Sequence, residues 1–397
     1  MLCLQGMLAW PHDKTEETSA SGFQPPHCPW PECSQHEQAD PQRFGPDRAG
    51  FYTRRCDGKR IQRYRCRSCG RTFSQQSFAC SYYLKRPELL VPIAAGLNAG
   101  SAHRQLARSL GCAPSTVTRQ SQRLGRHAML LHAQAMASLP QLPEPIVLDH
   151  FETFAYSQWD RLAVATPVGQ DSWFVYGLAP AVHRRAGRVS AHQRRRRERR
   201  AVPRPPPGQY LRSMHVTLNR LAARLPAQGR LPLITDGLEA YQQALCEHPS
   251  AHRFWHRSHP NPARGSKGAP RSPEARERDQ QMFAVDVLHG LWRHSSANHR
   301  RETIAFARRA NAVMERGYLF AVWRNFVKAR TERHAKRGTP AMRIGLADTP
   351  WSWERVLARR IFWRRVPRDP DLMALYRREL VTPALGHNAR HTLKNAF

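Results

Sequence analysis

Residues 145–154 constrain this chain more than any other stretch. Pro145-Ile146-Val147-Leu148 is a run of apolar and β-branched residues that leads into Asp149-His150-Phe151-Glu152-Thr153-Phe154. This is the pattern of a strand buried in a sheet and delivering a carboxylate at its far end. Leu231-Pro232-Leu233-Ile234-Thr235 repeats the arrangement and closes on Asp236-Gly237. Two strands that each present an aspartate from a rigid sheet suggest metal ligands.

The rest of the chain says what such ligands would act on. Lys and Arg number 63 against 30 Asp and Glu, a formal charge of +33. A charge of that size calls for an anionic partner, with nucleic acid as the leading candidate. At 397 residues and 41% hydrophobic content, the chain can build two or three domains with a sizeable core. No run approaches the roughly 18 apolar residues of a membrane span, and the first ten residues lack a basic flank followed by an apolar core. The expectation is a soluble intracellular protein without a membrane partner.

Nine cysteines are an odd number, mostly scattered, and four of them pair by spacing as metal ligands do. After a flexible leader expected over residues 1–24, Cys28-Pro-Trp-Pro-Glu-Cys33 is followed by Cys66-Arg-Ser-Cys69-Gly70. Two close pairs on separate turns supply the four ligands of a tetrahedral zinc, and Gly70 suits the left-handed turn of such a knuckle. A structural zinc ribbon is therefore expected over residues 25–80, held by Cys28, Cys33, Cys66 and Cys69. Cys56, His27 and His36 are close enough in sequence to replace one member. Arg54, Arg55, Lys59, Arg60, Arg63 and Arg65 would surround the metal with charge suited to phosphate.

Residues 84–138 read as an all-α helix-turn-helix. A first helix spans about 87–100, Ser101 caps a second that Gly111 ends, and Ser115 caps a third after the turn Cys112-Ala113-Pro114. Ala107, Gly111 and Val117 stand at the offsets of the crossing, the turn and the packing residue. Ser115, Thr118, Arg119, Gln122 and Arg123 would then be the DNA-contacting set.

Past the prolines at 140, 143 and 145, which mark a linker, the pattern becomes strand-rich. Residues 145–154, 161–167 and 172–178 read as a three-strand meander. An arginine and proline-rich insertion near 183–208 interrupts it. A helix from Tyr210 carries the stripe Leu211, Met214, Leu218, Leu221 and Leu225. The strand at 231–235, a helix, and a weak strand at Phe254-Trp255 follow, then a second basic insertion near 258–281. A late helix is expected from Glu302 to about 331, with Glu302 in its first turn. The tail, 331–397, mixes Arg with Trp351, Trp353, Phe362 and Trp363, as a nucleic-acid or subunit contact would.

This order of elements resembles that of the DDE transposases of bacterial insertion sequences, in particular those with a zinc ribbon and helix-turn-helix ahead of the catalytic domain. The resemblance runs from about residue 28 to 328. It rests on the knuckle at 64–73, the strand at 146–154, Ile234-Thr235-Asp236-Gly237 and the segment Asn298-His299-Arg300-Arg301-Glu302-Thr303-Ile304-Ala305-Phe306. It implies an α/β ribonuclease H-like domain over 145–330, a mixed five-stranded sheet flanked by helices, with catalytic Asp149, Asp236 and Glu302. It further implies two Mg²⁺ or Mn²⁺ ions at those carboxylates, a structural Zn²⁺, and DNA element ends and target as partners. A homo-oligomeric synaptic assembly and a place at the nucleoid of the bacterial cytoplasm complete the expectation. Two ions about 3.5–4 Å apart stabilise the attacking and leaving oxygens of a phosphodiester, and a few carboxylates are enough to hold them.

Taken singly, each carboxylate has another reading. Asp236-Gly237 suits a turn, and Glu302 suits any helix N-terminus. Glu152, Asp160, Asp286 and Glu315 compete for the same role, Glu152 less so because its odd separation from Asp149 turns it to the other face. A DNA-binding regulator with a relic core and a metal-dependent nuclease that cuts without joining are the alternative functions.

Overall fold

A computed structural model describes residues 23–37, 40, 43–184, 190–199, 203–263, 266, 268, 270–300, 302–367 and 369–385. Most of the expected leader, parts of both expected insertions and the end of the tail lie outside that set.

At the N-terminal end β1 (Asp47–Thr53), β2 (Arg60–Arg65) and β3 (Thr72–Ser74) form an antiparallel sheet in that order. So small a unit has little apolar surface to bury and needs a staple. Phe44, Tyr64, Phe73 and Phe78 gather around Cys28, Cys33 and Cys66, and Phe362 of the tail completes this cluster. The tail aromatics are thus core, not an exposed contact face: Trp351, Trp353 and Phe362 are all buried. Their arginine neighbours clasp the ribbon, Arg360 Nη1 donating to Ser77 O (3.0 Å) and Arg364 Nη1 to Pro31 O (2.6 Å). Aromatics among arginines look like a nucleic-acid face in sequence. A guanidinium, however, also serves backbone carbonyls that a short ribbon leaves without a ladder partner.

Three helices follow, Leu90–Asn98, His103–Ser109 and Pro114–Ser138. Neither serine expected to cap does so: the N-caps are Ala102 and Ala113. Gln105 Oε1 accepts from the Ala102 amide instead (2.8 Å), and Pro114, at the first helical position, has no amide to satisfy. Val117, Leu124, Ala128, Leu131 and Ala135 form one buried stripe along the third helix, at the spacing of a helical face. The proline-marked stretch after it is packed as well, with Leu139 and Leu142 buried and Leu142 N donating to Arg224 O (2.7 Å). One apolar core runs from Leu89 through this helix to the central sheet.

Two features of that core make testable predictions. Gly125 lies against the helix Ala310–Val322, and a Cβ added there would stand 2.5 Å from Glu315 Cβ and O. Gly125→Ala is expected to cost about 1–3 kcal/mol through overpacking. A urea midpoint equal to that of the parent protein would refute the contact. The buried His127 and His132 donate Nε2–H to Val356 O (2.8 Å) and Val175 O (2.9 Å). Burial pushes both rings down to about 4. Below the ordinary value near 6.5 the unfolded chain takes up protons that the folded core refuses. Stability is therefore complete above pH ~6.5 and is lost as pH falls toward 4, by roughly 3 kcal/mol for each ring. Comparing urea midpoints near pH ~7.5 and ~5, the double variant His127→Gln, His132→Gln should show a flatter pH dependence, and an unchanged slope would contradict the account.

The central sheet has the order β6-β5-β4-β7-β8. β4 (Ile146–Phe154), β5 (Asp160–Gly169) and β6 (Ala179–Arg184) are an antiparallel meander. β7 (Leu231–Thr235) and β8 (Phe254–Ser258) run parallel to β4. Ile146, Val147, Leu148 and Phe151 of β4 are fully buried, each stabilising by about 1.5–3 kcal/mol. Helices Gln209–Ala222 and Glu239–Glu247 meet one face of β4 through Ser213 and Tyr241, which contact His150. Helix Phe283–Ser295 covers the other, where Trp292 stacks on Phe151 at 4.4 Å.

The third strand is Ala179–Arg184, not 172–178. The latter stretch meets β5 only in an isolated antiparallel bridge, Val175 to Val168, and the N–H and C=O of Val175 are taken by the Asn325 side chain. Its Oδ1 accepts from Val175 N (2.8 Å) and its Nδ2 donates to Val175 O (3.0 Å). Within the first basic insertion, Ala191–Glu198 is helical, and within the second, Pro273–Gln281 is. Among the described residues no helix is long and apolar enough to cross a membrane.

Candidate functional site

The parallel register between β4 and β7 sets the site. It pairs Leu148 with Thr235 and ends there, so the next residues on the two strands are Asp149 and Asp236. Adjacent strands lie about 4.8 Å apart, so the two carboxylates leave the sheet side by side. Asp149 therefore sits mid-strand in β4, at the end of the parallel ladder and not of the strand. Gly237 turns the chain away at φ +87°, and a Cβ on it would come within 2.9 Å of Ser258 Oγ. Asp236 fixes this turn, its Oδ1 accepting from Leu238 N (3.1 Å).

Helix Phe283–Ser295 brings a third carboxylate. It begins directly after Pro273–Gln281 and packs along β4, with Asp286, His289 and Arg293 spaced for one helical face. His289 Nδ1 lies 3.6 Å from Asp149 Oδ2. Arg293 Nη2 donates to Glu152 O (2.9 Å). Arg278 forms an ion pair with Asp286 and also approaches Asp279 at 3.7 Å. Burial, then the neighbouring Asp236 carboxylate and then that of Asp286, push Asp149 up to about 7. Asp236 and Asp286 are thus near enough to act on Asp149 through their charge.

Asp149 is about one-fifth exposed, and its two oxygens are treated differently. Oδ1 accepts from His150 N (2.7 Å) and lies 3.3 Å from the Tyr241 hydroxyl, which is 2.7 Å from His150 Nδ1. Among the described residues no hydrogen-bond donor is placed on Oδ2. Hard oxygen donors at a partly open position are the kind a divalent cation takes, but among the described residues the only group of three or more candidate ligands drawn within 4.8 Å of one another is that of the four cysteines.

Glu302 is placed elsewhere than in a helix. It stands exposed in a turn at φ +56°, and the helix begins only at Ala310. Thr303 explains the delay: its hydroxyl donates to Ala297 O (2.7 Å) and accepts from Ala305 N (3.0 Å), a local turn that competes with helix. The other competitors are committed. Glu152 is held by Tyr210 and by His183 (3.2 Å) on the opposite face of β4. Asp160 accepts from Ser157 Oγ (2.7 Å). Glu315 is buried between Arg126 (3.4 Å) and Arg378 (3.1 Å), and burial pushes it up to about 7 against those two cations.

The four cysteines come together. Cys28 Sγ lies 3.8 Å from Cys69 Sγ and Cys33 Sγ 3.8 Å from Cys66 Sγ, with all four within 4.8 Å of one another. Sulfurs bound at about 2.3 Å to one tetrahedral zinc stand about 3.8 Å apart, so the cluster fits such a metal. Cys56 is exposed beside Asp57, and His27 and His36 turn Nδ1 to Cys28 O. None of the three joins the cluster. Gly70 takes φ +69°. Burial pushes the Cys28 and Cys33 thiols up. Burial acts on Cys66 too, but the amides of Cys69 and Ser68 outweigh it and pull that thiol down.

The five residues expected to touch DNA divide. Ser115 and Arg119 are exposed on the first turns of Pro114–Ser138, and Thr118 and Gln122 are half-buried. Thr118 Oγ1 donates to Pro114 O (3.0 Å). Arg123 turns inward and donates to Cys80 O (2.8 Å) and Tyr82 O (2.7 Å), and burial lowers it to about 10.

Sequence reasoning passed over His289, Tyr241 and Thr166. A helical spacing of Asp286, His289 and Arg293 was the available signal for the first. Thr166 becomes visible only through its register with Asp149 across β4 and β5, and Tyr241 only once its helix is packed on β4. Comparison with known protein families and with curated proteins finds none that matches the chain.

Proposed function

We propose that this protein is a DNA transposase of the DDE type, which cleaves element ends and joins them to a target by metal-dependent phosphoryl transfer. One observation carries the reading: Asp149 and Asp236 leave adjacent parallel strands at the same register, with Asp286 on the helix over β4 near enough to act on Asp149 through its charge. The sheet order, with a three-stranded antiparallel meander continued by two parallel strands, is that of a ribonuclease H-like domain and supports it. The third acidic residue in this reading is Asp286, in the place where the sequence suggested Glu302.

Asp149, Asp236 and Asp286 would hold Mg²⁺ or Mn²⁺. Such ions supply Lewis-acid stabilisation at the nucleophile and at the leaving oxygen. Asp149 faces both other carboxylates and would be shared between ion sites. The His150 amide fixes its rotamer through Oδ1, leaving Oδ2 to point at the site. Arg278 neutralises Asp286 in the absence of an ion and would have to yield it. Double-stranded DNA is the partner that the charge of +33 calls for. Ser115 and Arg119, exposed on the first turns of Pro114–Ser138, would contact it, and Zn²⁺ at the four cysteines would hold the ribbon together. Two ends must be processed together, so the working form is a homo-oligomer.

The test uses the full-length protein and a DNA fragment carrying the natural flanks of its coding region. Nicking and joined products are expected with Mg²⁺ or Mn²⁺ and neither with a chelator. Hydrolysed ends without joining would support a nuclease, and binding without either product would support a regulator.

A further inference from the structure

The hydrogen bonds behind Asp149 fix which nitrogen of His289 carries a proton. Thr166 Oγ1 lies 2.8 Å from Asp149 O and 2.6 Å from His289 Nε2. A carbonyl cannot donate, so the single hydroxyl proton goes to Asp149 O, and His289 Nε2 must donate to the hydroxyl. The neutral ring is then left with an unprotonated Nδ1. That lone pair faces Asp149 Oδ2 at 3.6 Å, and Oδ2 of the ionised carboxylate is an acceptor too. Two acceptors aimed at one half-buried space, with no donor between them among the described residues, are complementary to a cation.

We propose that His289 is a nitrogen ligand of the ion held by Asp149, with Nδ1 and Oδ2 gripping it together. This rests on the metal-site reading above and deepens it. Two ligand atoms 3.6 Å apart can both lie about 2.0–2.2 Å from one ion. Thr166 is the positioning residue, since it sets the tautomer and ring orientation as outer partners of metal-bound histidines do. The consequence is selectivity: imidazole suits borderline ions, whereas Mg²⁺ prefers oxygen. The site should favour Mn²⁺ over Mg²⁺ more than an all-carboxylate site would.

The experiment is Mn²⁺ binding to the full-length protein with its zinc retained, read by electron spin-echo modulation from ¹⁴N and by titration without DNA. The parent protein should show nitrogen modulation from a bound imidazole. His289→Gln should lose it, bind Mn²⁺ at least about tenfold more weakly, and show a smaller preference over Mg²⁺. Thr166→Val, which keeps the imidazole but frees the tautomer, should weaken Mn²⁺ binding while Thr166→Ser restores it. Nitrogen modulation that persists in His289→Gln, or Thr166→Val binding as the parent does, overturns the assignment of His289. Asp149→Asn separates the two claims: it should abolish the Mn²⁺ signal. If it binds as the parent does, the metal-site reading itself fails.

Discussion

Asp149→Asn should reduce metal-dependent strand cleavage by about 10³-fold or more while leaving DNA binding intact. Losing a ligand that two ions would share should remove several kcal/mol of transition-state charge stabilisation, and each 1.36 kcal/mol is about tenfold in rate. The fold should tolerate the change. Asn keeps an oxygen for the His150 amide and removes a negative charge from beside Asp236 and Asp286. Thermal stability without added metal should therefore equal or exceed that of the parent protein. A cleavage rate within about threefold of the parent, with folding intact, would remove Asp149 from the chemistry.

Metal removal at the ribbon should have the largest structural effect. A strong chelator, or Cys66→Ser, is expected to unfold residues 23–78 and release the tail segment around Phe362. Structural zinc contributes about 10–16 kcal/mol to small finger-like units. The aromatic cluster that remains offers about 1.5–3 kcal/mol for each buried side chain, too little to order a three-stranded ribbon alone. Hydrogen exchange should show lost protection in 23–78 and near 362, with β4 and β5 still protected. The parent protein should carry one zinc per chain. Full protection in a chain freed of metal would contradict the role of the four cysteines.

Much of the sheet was legible because its strands are written in local patterns. The buried runs at 146–154 and 231–235 announced themselves by continuous apolar character, and each supplied its aspartate. The cysteine pairs were legible for a different reason, since knuckle spacing is itself the ligand geometry. What failed was set by hydrogen-bond partners that a periodic pattern does not show. Residues 172–178 look like a full strand, but they meet β5 only in the bridge from Val175 to Val168, and the Asn325 amide takes the N–H and C=O of Val175. Glu302 looks like the start of a helix, but the Thr303 hydroxyl holds a turn there. The tail tryptophans look exposed because arginines surround them, yet those arginines bond to backbone of the ribbon. Asp286 was one candidate among four, and nothing local could choose it. Its place across from Asp149 depends on how Phe283–Ser295 lies along β4, which the stacking of Trp292 on Phe151 fixes.

The third carboxylate decides between two sites, one built with Asp286 and one with Glu302. The direct measurement is cleavage of flank DNA by Asp286→Asn and Glu302→Gln, assayed side by side with Mn²⁺ and with DNA binding as the control. Asp286→Asn should be as inactive as Asp149→Asn, and Glu302→Gln should retain activity close to that of the parent protein. An active Asp286→Asn beside an inactive Glu302→Gln would contradict the site described for this fold.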